Sequence, residues 1–251
     1  EEVQLQNLSD SQIEENQVKE LNRLSVSYNK MLERLSEAFK IQRQFTENAA
    51  HELRTPLSLM QVQLDLYNSG KHPDNDADTI QTIKMVTEQN ERLSKMVKTL
   101  LDMSELQTVG RDETIIVNAL VDEVLEDLEP LAQEKNIKLI GKCKDVNMVG
   151  SDILIYRLVY NLVENAIKYN HSGGQVSVEA YQREKQVYLS VKDTGNGIPE
   201  ELKERVFEPF FRVDKSRSRE LGGVGLGLAF VNEIVRVHDG SIAIRPNPSG
   251  G

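Results

Sequence analysis

Residues 152–169 read DILIYRLVYNLVENAIKY, and this stretch decides the architecture of the chain. Ile155, Val159, Leu162, Val163 and Ala166 recur at helical spacing and share one apolar face. Asn161, Asn165 and Lys168, at i, i+4 and i+7, share the opposite face, with Tyr169 at its border. Asparagine is a poor helix former because its side chain competes for backbone hydrogen bonds, so two of them stacked on one face suggest a ligand. The amide oxygens could hold a hard cation such as magnesium, and the lysine could meet phosphate. A solvated polar face explains the same residues equally well at this point.

The sequence around this helix has mixed texture. Short β-rich pieces, TIIV (114–117), IKLIG (137–141), QVSVEA (175–180), QVYLSV (186–191) and SIAI (241–244), read as strands, and residues 121–134 and 226–238 read as further helices. From residue 108 onward the pattern is that of an α+β domain. Six of its glycines, at 195, 197, 222, 223, 225 and 227, cluster in two loops. DTGNGIP (193–199) follows a strand and offers the carboxylate of Asp193 beside Gly195 and Gly197, where the backbone can approach a flat ligand. GGVGLGL (222–228) opens the helix that carries Phe230 and Ile234, so its amides and the helix N-terminus form an anion site. Glu200 stands where a dinucleotide fingerprint would need its third glycine, and neither GxxxxGK[ST] nor HRD nor DFG occurs. Walker-type NTPases and eukaryotic-type protein kinases are thereby set aside.

The N-terminal part is purely helical in pattern. Leu21, Leu24, Tyr28, Met31, Leu35, Ala38, Phe45 and Ala49 follow a seam of near 3.5-residue spacing, which predicts one coiled-coil-like helix to about Tyr67. NSGKHPDND (68–76) is rich in turn formers, and Ile83, Val86, Asn90, Leu93, Val97, Leu100 and Ser104 mark a second helix returning antiparallel. Two helices bury too little alone, so dimerisation into a four-helix bundle is expected, with Asn90 fixing the register. In FTENAAHELRTPLSLM (45–60), His51 is turned by about 200° from Ala49, away from the seam and toward solvent. Glu52 is its neighbour, Thr55 lies one turn on, and Pro56 should kink the helix just beyond. An exposed histidine beside a glutamate is in itself commonplace.

Composition limits the partners. The 251 residues are 39% hydrophobic and 28% charged, with 40 acidic residues against 30 basic, a formal net charge of -10. That sign opposes non-specific binding to nucleic acid. The single cysteine, Cys143, excludes an internal disulfide and suits a reducing compartment, which points to the cytoplasm. No apolar run approaches the roughly 18 residues of a membrane span. The chain opens at Glu1 without a signal peptide and reads as a fragment of a longer protein.

Taken in order, these segments resemble the sensor histidine kinases of two-component systems, and the resemblance covers nearly the whole chain. FTENAAHELRTPL is similar to the phosphoacceptor H box, NLVENAIKYN to the N box and DTGNGIP to the G1 box. FEPFF with RVDKSRS resembles the F box and ATP lid, and GGVGLGL the G2 box. The segment NQVKELNRLSVSYNKMLERL resembles, more loosely, the second helix of a HAMP linker, with Asn16 to Lys19 where the family often has DEIG. The implied domains are a HAMP-like helix over 1–37, a dimerisation and phosphotransfer hairpin over 38–107 and an α/β sandwich ATP-binding domain over 108–251.

The resemblance implies ATP and magnesium as cofactors. It gives Asn165 to the metal, Asp193 to the adenine amino group and Tyr169 to the base. Asn161, Lys168 and the loop of Gly223, Gly225, Leu226 and Gly227 would surround the phosphates, beside the turn of Gly195 and Gly197. Phe207, Phe210 and Phe211 would anchor a lid that supplies Arg212 and Lys215. His51 would take the γ-phosphoryl group with Glu52 as proton acceptor, and Thr55 would serve a reverse phosphatase activity. The implied partners are a second copy of the chain and a response-regulator receiver domain. The implied location is the cytoplasmic portion of a cell-membrane sensor, with the membrane reached only through a segment upstream. Asn161 occupies the place where gyrase-type and MutL-type relatives carry a glutamate base, so direct hydrolysis of ATP should be slow. A catalytically weak scaffold and a gyrase-like ATPase clamp are the rival readings. Ala50 for the usual Ser and Val224 for the usual Thr should reduce rates at most, and the family's G-T-x-F strand does not follow SIAIRPNPSGG.

Overall fold

The structure is a computed structural model that describes residues 19–68, 76–213 and 223–247. The start of the HAMP-like segment, the turn between the first two helices, and Lys215 with the rest of the lid lie outside the described residues. The chain divides into two compact units, Glu1–Ser58 and Leu59–Gly251.

Helix α1 spans Lys19–Asn68 and α2 spans Asp76–Glu105. Pro56 sits inside α1 without ending it, so the predicted kink does not break the helix. Near the turn, the Thr79 hydroxyl bonds the Tyr67 hydroxyl at 3.5 Å, as expected where a second helix returns beside the first. The seam read from sequence is left largely on the surface of the single chain. Leu24, Met31 and Leu35 are exposed, whereas Ser25 and Leu32 are buried. On α2, Ile83 and Val97 are exposed and Met96 is buried.

The α/β part begins with β1 (Glu113–Ile116) and α3 (Val117–Glu134). Then come β2 (Lys138–Cys143), β3 (Asn147–Gly150) and α4 (Asp152–Lys168). β4 (Gln175–Arg183) and β5 (Gln186–Asp193) follow, and α5 (Gly227–Val237) closes the order after two short 3-10 turns at Glu200–Leu202 and Arg205–Phe207. β1 pairs antiparallel with β3 in one ribbon. β2, β4 and β5 form a second sheet in which β2 runs parallel to β4 and β5 antiparallel to it.

Each helix turns one apolar face to a common core. α3 contributes Val117, Val121, Val124 and Leu128, α4 contributes Val159, Val163 and Ile167, and α5 contributes Phe230, Val231 and Ile234. Val176, Val178 and Ala180 of β4 meet them from the sheet. Leu106, just past α2, is buried in the same core. The start of α4 and the end of α5 are joined through His238. Its Nε2 accepts the Ser151 N–H at 3.1 Å, and its Nδ1 lies 2.8 Å from the Ile234 carbonyl, which fixes the neutral ring with its proton on Nδ1.

Three readings are corrected. Ser241–Ile244 forms no strand, because alternation makes a strand only where a neighbouring edge supplies a ladder; the segment is instead tied down by the Asn247 amide, which donates to the Asp193 carbonyl at 2.6 Å. The short strand β3 was not expected from NMVG, whose partner β1 lies before α3 in the chain. Helix α3 also starts at Val117 rather than near Val121.

Candidate functional site

Helix α4 has the two faces its sequence predicts. Asn161, Asn165 and Lys168 are half-buried on the side away from the core, and Tyr169, at the helix C-terminus, is exposed. The Asn161 amide donates to the Arg157 carbonyl at 2.7 Å, which fixes its orientation. From Asn161 to Tyr169 the helix rises about 12 Å, so its polar face offers a strip with two distinct ends.

One end meets the second glycine loop. A Cβ placed on Gly227 would lie 3.2 Å from Asn161 Oδ1 and 3.6 Å from Asn165 Nδ2, so the first turn of α5 sits directly against both asparagines. Gly225 has φ +79°, and a Cβ there would lie 2.7 Å from the Phe211 carbonyl oxygen. Phe210, itself at φ 66°, donates its N–H to the Gly225 carbonyl at 2.7 Å. The Arg212 guanidinium donates to the Gly223 carbonyl at 3.3 Å, and Arg205 stacks 4.5 Å from the centre of the Phe211 ring. The phenylalanine segment and the glycine loop are therefore clasped by backbone bonds. Phe207 ends the turn before them, and Leu226 is buried at the N-cap of α5.

The other end meets the first glycine turn. One oxygen of Asp193 accepts the Gly195 N–H at 2.8 Å. A Cβ on Gly195 would lie 2.7 Å from the Tyr169 carbonyl oxygen, so the turn approaches the end of α4 as only glycine allows. Gly197 takes φ +67° at the exposed tip. Buried Asn170 and half-buried Thr194 were not singled out in the sequence, yet they hold this end together. Thr194 Oγ1 donates to Asn170 Oδ1 at 3.1 Å and accepts the Gln175 N–H at 2.9 Å, while Asn170 Nδ2 donates to the Gln175 carbonyl at 3.2 Å. The signal was Gly174, whose absent Cβ leaves room for the Asn170 amide oxygen at 2.3 Å.

Lys168 is not free in solvent. Its ammonium pairs with Glu164 at 2.9 Å, and Lys95 of α2 reaches the same Glu164 oxygen at 3.3 Å. Burial pulls Lys168 below the ordinary lysine pKa, against the opposing pull of Glu164. Burial likewise works against ionisation of Glu164, but Lys168 and then Lys95 outweigh it and keep its carboxyl below the usual range. Two turns away along both helices, Asp102 of α2 pairs with Arg157 of α4 at 2.5 Å.

His51 belongs to the Glu1–Ser58 unit, and its side chain is exposed as predicted. Glu52 is half-buried beside it, and the Thr55 hydroxyl donates to the His51 carbonyl at 3.2 Å rather than to the ring. Among the described residues no group of three or more His, Cys, Asp or Glu side chains could hold a metal ion.

A mixed sheet faced by three helices, with a glycine-opened helix set against an asparagine-bearing one, defines an ATPase-type nucleotide domain. The family model of the histidine kinase-, DNA gyrase B- and HSP90-like ATPases matches residues 150–251, and that of the His Kinase A phospho-acceptor domain matches residues 41–109. Holding both in this order, the chain belongs to the histidine kinases.

The chain is similar to the sensor histidine kinase RppB of Synechocystis, with 36% identity over 215 residues, 83% of this chain and 47% of the relative. It is also similar to the signal transduction histidine-protein kinase ArlS of Staphylococcus aureus, with 31% identity over 235 residues, 92% of this chain and 52% of the relative. The chain thus spans about half the length of these curated relatives. Among solved structures, histidine kinase ThkA in complex with the response regulator protein TrrA matches with a TM-score of 0.69 and 25% identity over 94% of this chain and 65% of that one. The Acinetobacter baumannii histidine kinase AdeS matches with a TM-score of 0.60 and 25% identity over 74% and 86%.

Proposed function

We propose that this chain is the kinase portion of a sensor histidine kinase, which phosphorylates His51 from ATP and passes the phosphoryl group to an aspartate of a response-regulator receiver domain. The observation that carries the reading is that one chain holds both an exposed His51 inside a phosphoacceptor segment and, in its other unit, the polar face of α4 set against Gly227. In the domain over 108–251, Asp193 and Tyr169 receive the adenine, at the end of the strip where the turn of Gly195 and Gly197 closes on α4. Asn161, with the amides of Gly223, Gly225, Leu226 and Gly227, receives the phosphates at the other end, and Lys168, on the same face of α4, serves them as well. Phe207 and the clasped Phe210 and Phe211 anchor the lid, and Arg212 and Lys215 serve the phosphates from it.

Asn165 is the residue that would hold magnesium through its amide oxygen, beside the glycine-opened first turn of α5 and the Asn161 amide oxygen, from which a Cβ on Gly227 would lie 3.2 Å. The cation supplies charge neutralisation at the phosphates. The chain's own groups do the rest. A neutral His51 ring nitrogen attacks the γ-phosphorus, the bond to the β-γ bridging oxygen breaks, and its electron pair leaves with ADP. Glu52 accepts the proton from the other ring nitrogen as positive charge develops on the imidazole. At the position of Asn161 an amide cannot activate water, so ATP is kept for His51.

The exposed apolar row of α1 and α2 supports assembly of two chains into a four-helix bundle over 38–107. Thr55 is proposed to take part in the reverse, phosphatase reaction on the regulator. The resemblance of the N-terminal segment to a HAMP linker supports a parent protein that reaches the membrane upstream; among the described residues no helix is long and apolar enough to cross one.

Incubation with magnesium and γ-labelled ATP tests the reading. The chain should acquire acid-labile, base-stable label that His51→Gln lacks, while nucleotide binding by the variant is unchanged. Nucleotide turnover without a phosphoprotein would overturn it in favour of the ATPase clamp.

A further inference from the structure

Glu164 precedes Asn165 in the chain and has no part in the reading above, yet its carboxylate is the most contested group on the polar side of α4. Its Oε1 accepts from the Lys168 ammonium at 2.9 Å and from the Lys95 ammonium at 3.3 Å. A third ammonium, that of Lys135, donates to the Lys168 carbonyl at 2.8 Å. Two ammonium groups therefore share one carboxylate oxygen, and a third positive group stands at the backbone of one of them. Glu164 and Lys168 keep only 14% and 20% of their side-chain surface exposed, whereas Lys95 keeps 64%. The inner pair is the strong one, and the outer lysine competes for the same oxygen from the surface of α2.

We propose that Glu164 is a positioning residue for Lys168, holding its ammonium where the phosphates of the nucleotide are received, and that Lys95 makes this hold respond to the docking of α2. The inference rests on the phosphate role proposed for Lys168. Without Glu164, burial and the two neighbouring lysines all act against a charged Lys168, and nothing opposes them. A lysine in that condition gives up its proton at a lower pH and, once neutral, no longer attracts phosphate. A merely structural role for Glu164 would change affinity by the same factor at every pH.

The test is the affinity of the whole chain for magnesium and AMPPNP between about pH 7 and pH 9, in the parent, Glu164→Gln, Glu164→Asp, Lys95→Met and Lys168→Ala. Circular dichroism at each pH establishes that each variant is folded. The parent should weaken by less than about threefold across the interval and Glu164→Gln by about tenfold. Glu164→Asp should recover most of the parental profile. Lys95→Met, which removes a competing cation, should weaken no earlier than the parent. A Glu164→Gln profile parallel to the parent's, with Lys168→Ala still binding poorly, overturns the positioning role and leaves the phosphate role of Lys168 standing. Parental binding by Lys168→Ala overturns that phosphate role and the positioning role with it.

Discussion

Leu101 on α2 and Ile167 on α4 are both large apolar residues on amphipathic helices, yet Leu101 is 57% exposed and Ile167 is fully buried. The same contrast runs through the regions around them. α4 is enclosed by α3, α5 and the sheet, and its apolar face has no surface left to offer. The first two helices leave Leu24, Met31, Leu35, Ile80 and Ile83 in solvent. An amphipathic pattern states that a face must be covered, and whether the same chain covers it depends on how many elements that chain can bring. The nucleotide domain satisfies its own pattern, while the helical segment leaves much of its pattern uncovered within the single chain.

The sharpest way to break the comparison is to truncate both residues. Ile167→Ala should cost about 2 to 5 kcal/mol by leaving a cavity in a core that cannot collapse, seen as a lower midpoint in urea unfolding. Leu101→Ala should change the stability of the nucleotide domain by under about 0.5 kcal/mol while making the melting of the helical segment more sensitive to dilution. Equal losses at the two sites would show that α2 already has its partner within one chain.

Where α2 meets α4, the ion pairs permit a finer test. Asp102 and Arg157 are each about a quarter exposed, so a double-mutant cycle with Asp102→Asn and Arg157→Gln should return a coupling of about 1 kcal/mol. A coupling near zero would place this contact with ordinary surface pairs. The smallest effect lies in acid. Glu164 has a lowered folded-state pKa, so between that value and the ordinary carboxylate range the unfolded chain binds more protons, and stability falls as pH falls through that window. Glu164→Gln should make this acid limb shallower, as read by urea midpoints taken from neutral pH downward.

The polar and apolar faces of α4 were legible because helical periodicity is a local property, and the glycine loops because close backbone approach admits few other residues. The three-dimensional neighbours of those loops were not. Glu164 reads as a solvated residue until Lys95 arrives from 69 positions away, and Lys168 reads as free until Glu164 is seen to hold it. Asn170 and Thr194 were passed over for the same reason, since their bonds join the end of one element to the start of another. Ser241–Ile244 misled in the opposite sense: its alternation is genuine, but strand formation is decided by the neighbour's edge.

The mixed sheet also dictates an order of events in time. β4 and β5 are joined by Glu184 and Lys185 alone, with Glu184 at φ 57°, so their hairpin can form within about 1 to 10 microseconds of meeting water. β2 pairs with β4 only after the intervening β3 and α4 have been drawn in, because Lys138 registers with Gln175 across that whole excursion. Parallel closure of this kind is slow, since chain entropy is lost before the ladder returns any bonding. A newly made chain therefore carries an unpaired edge on β4 until β2 arrives, and that interval is when the protein is most open to association with other unfinished chains.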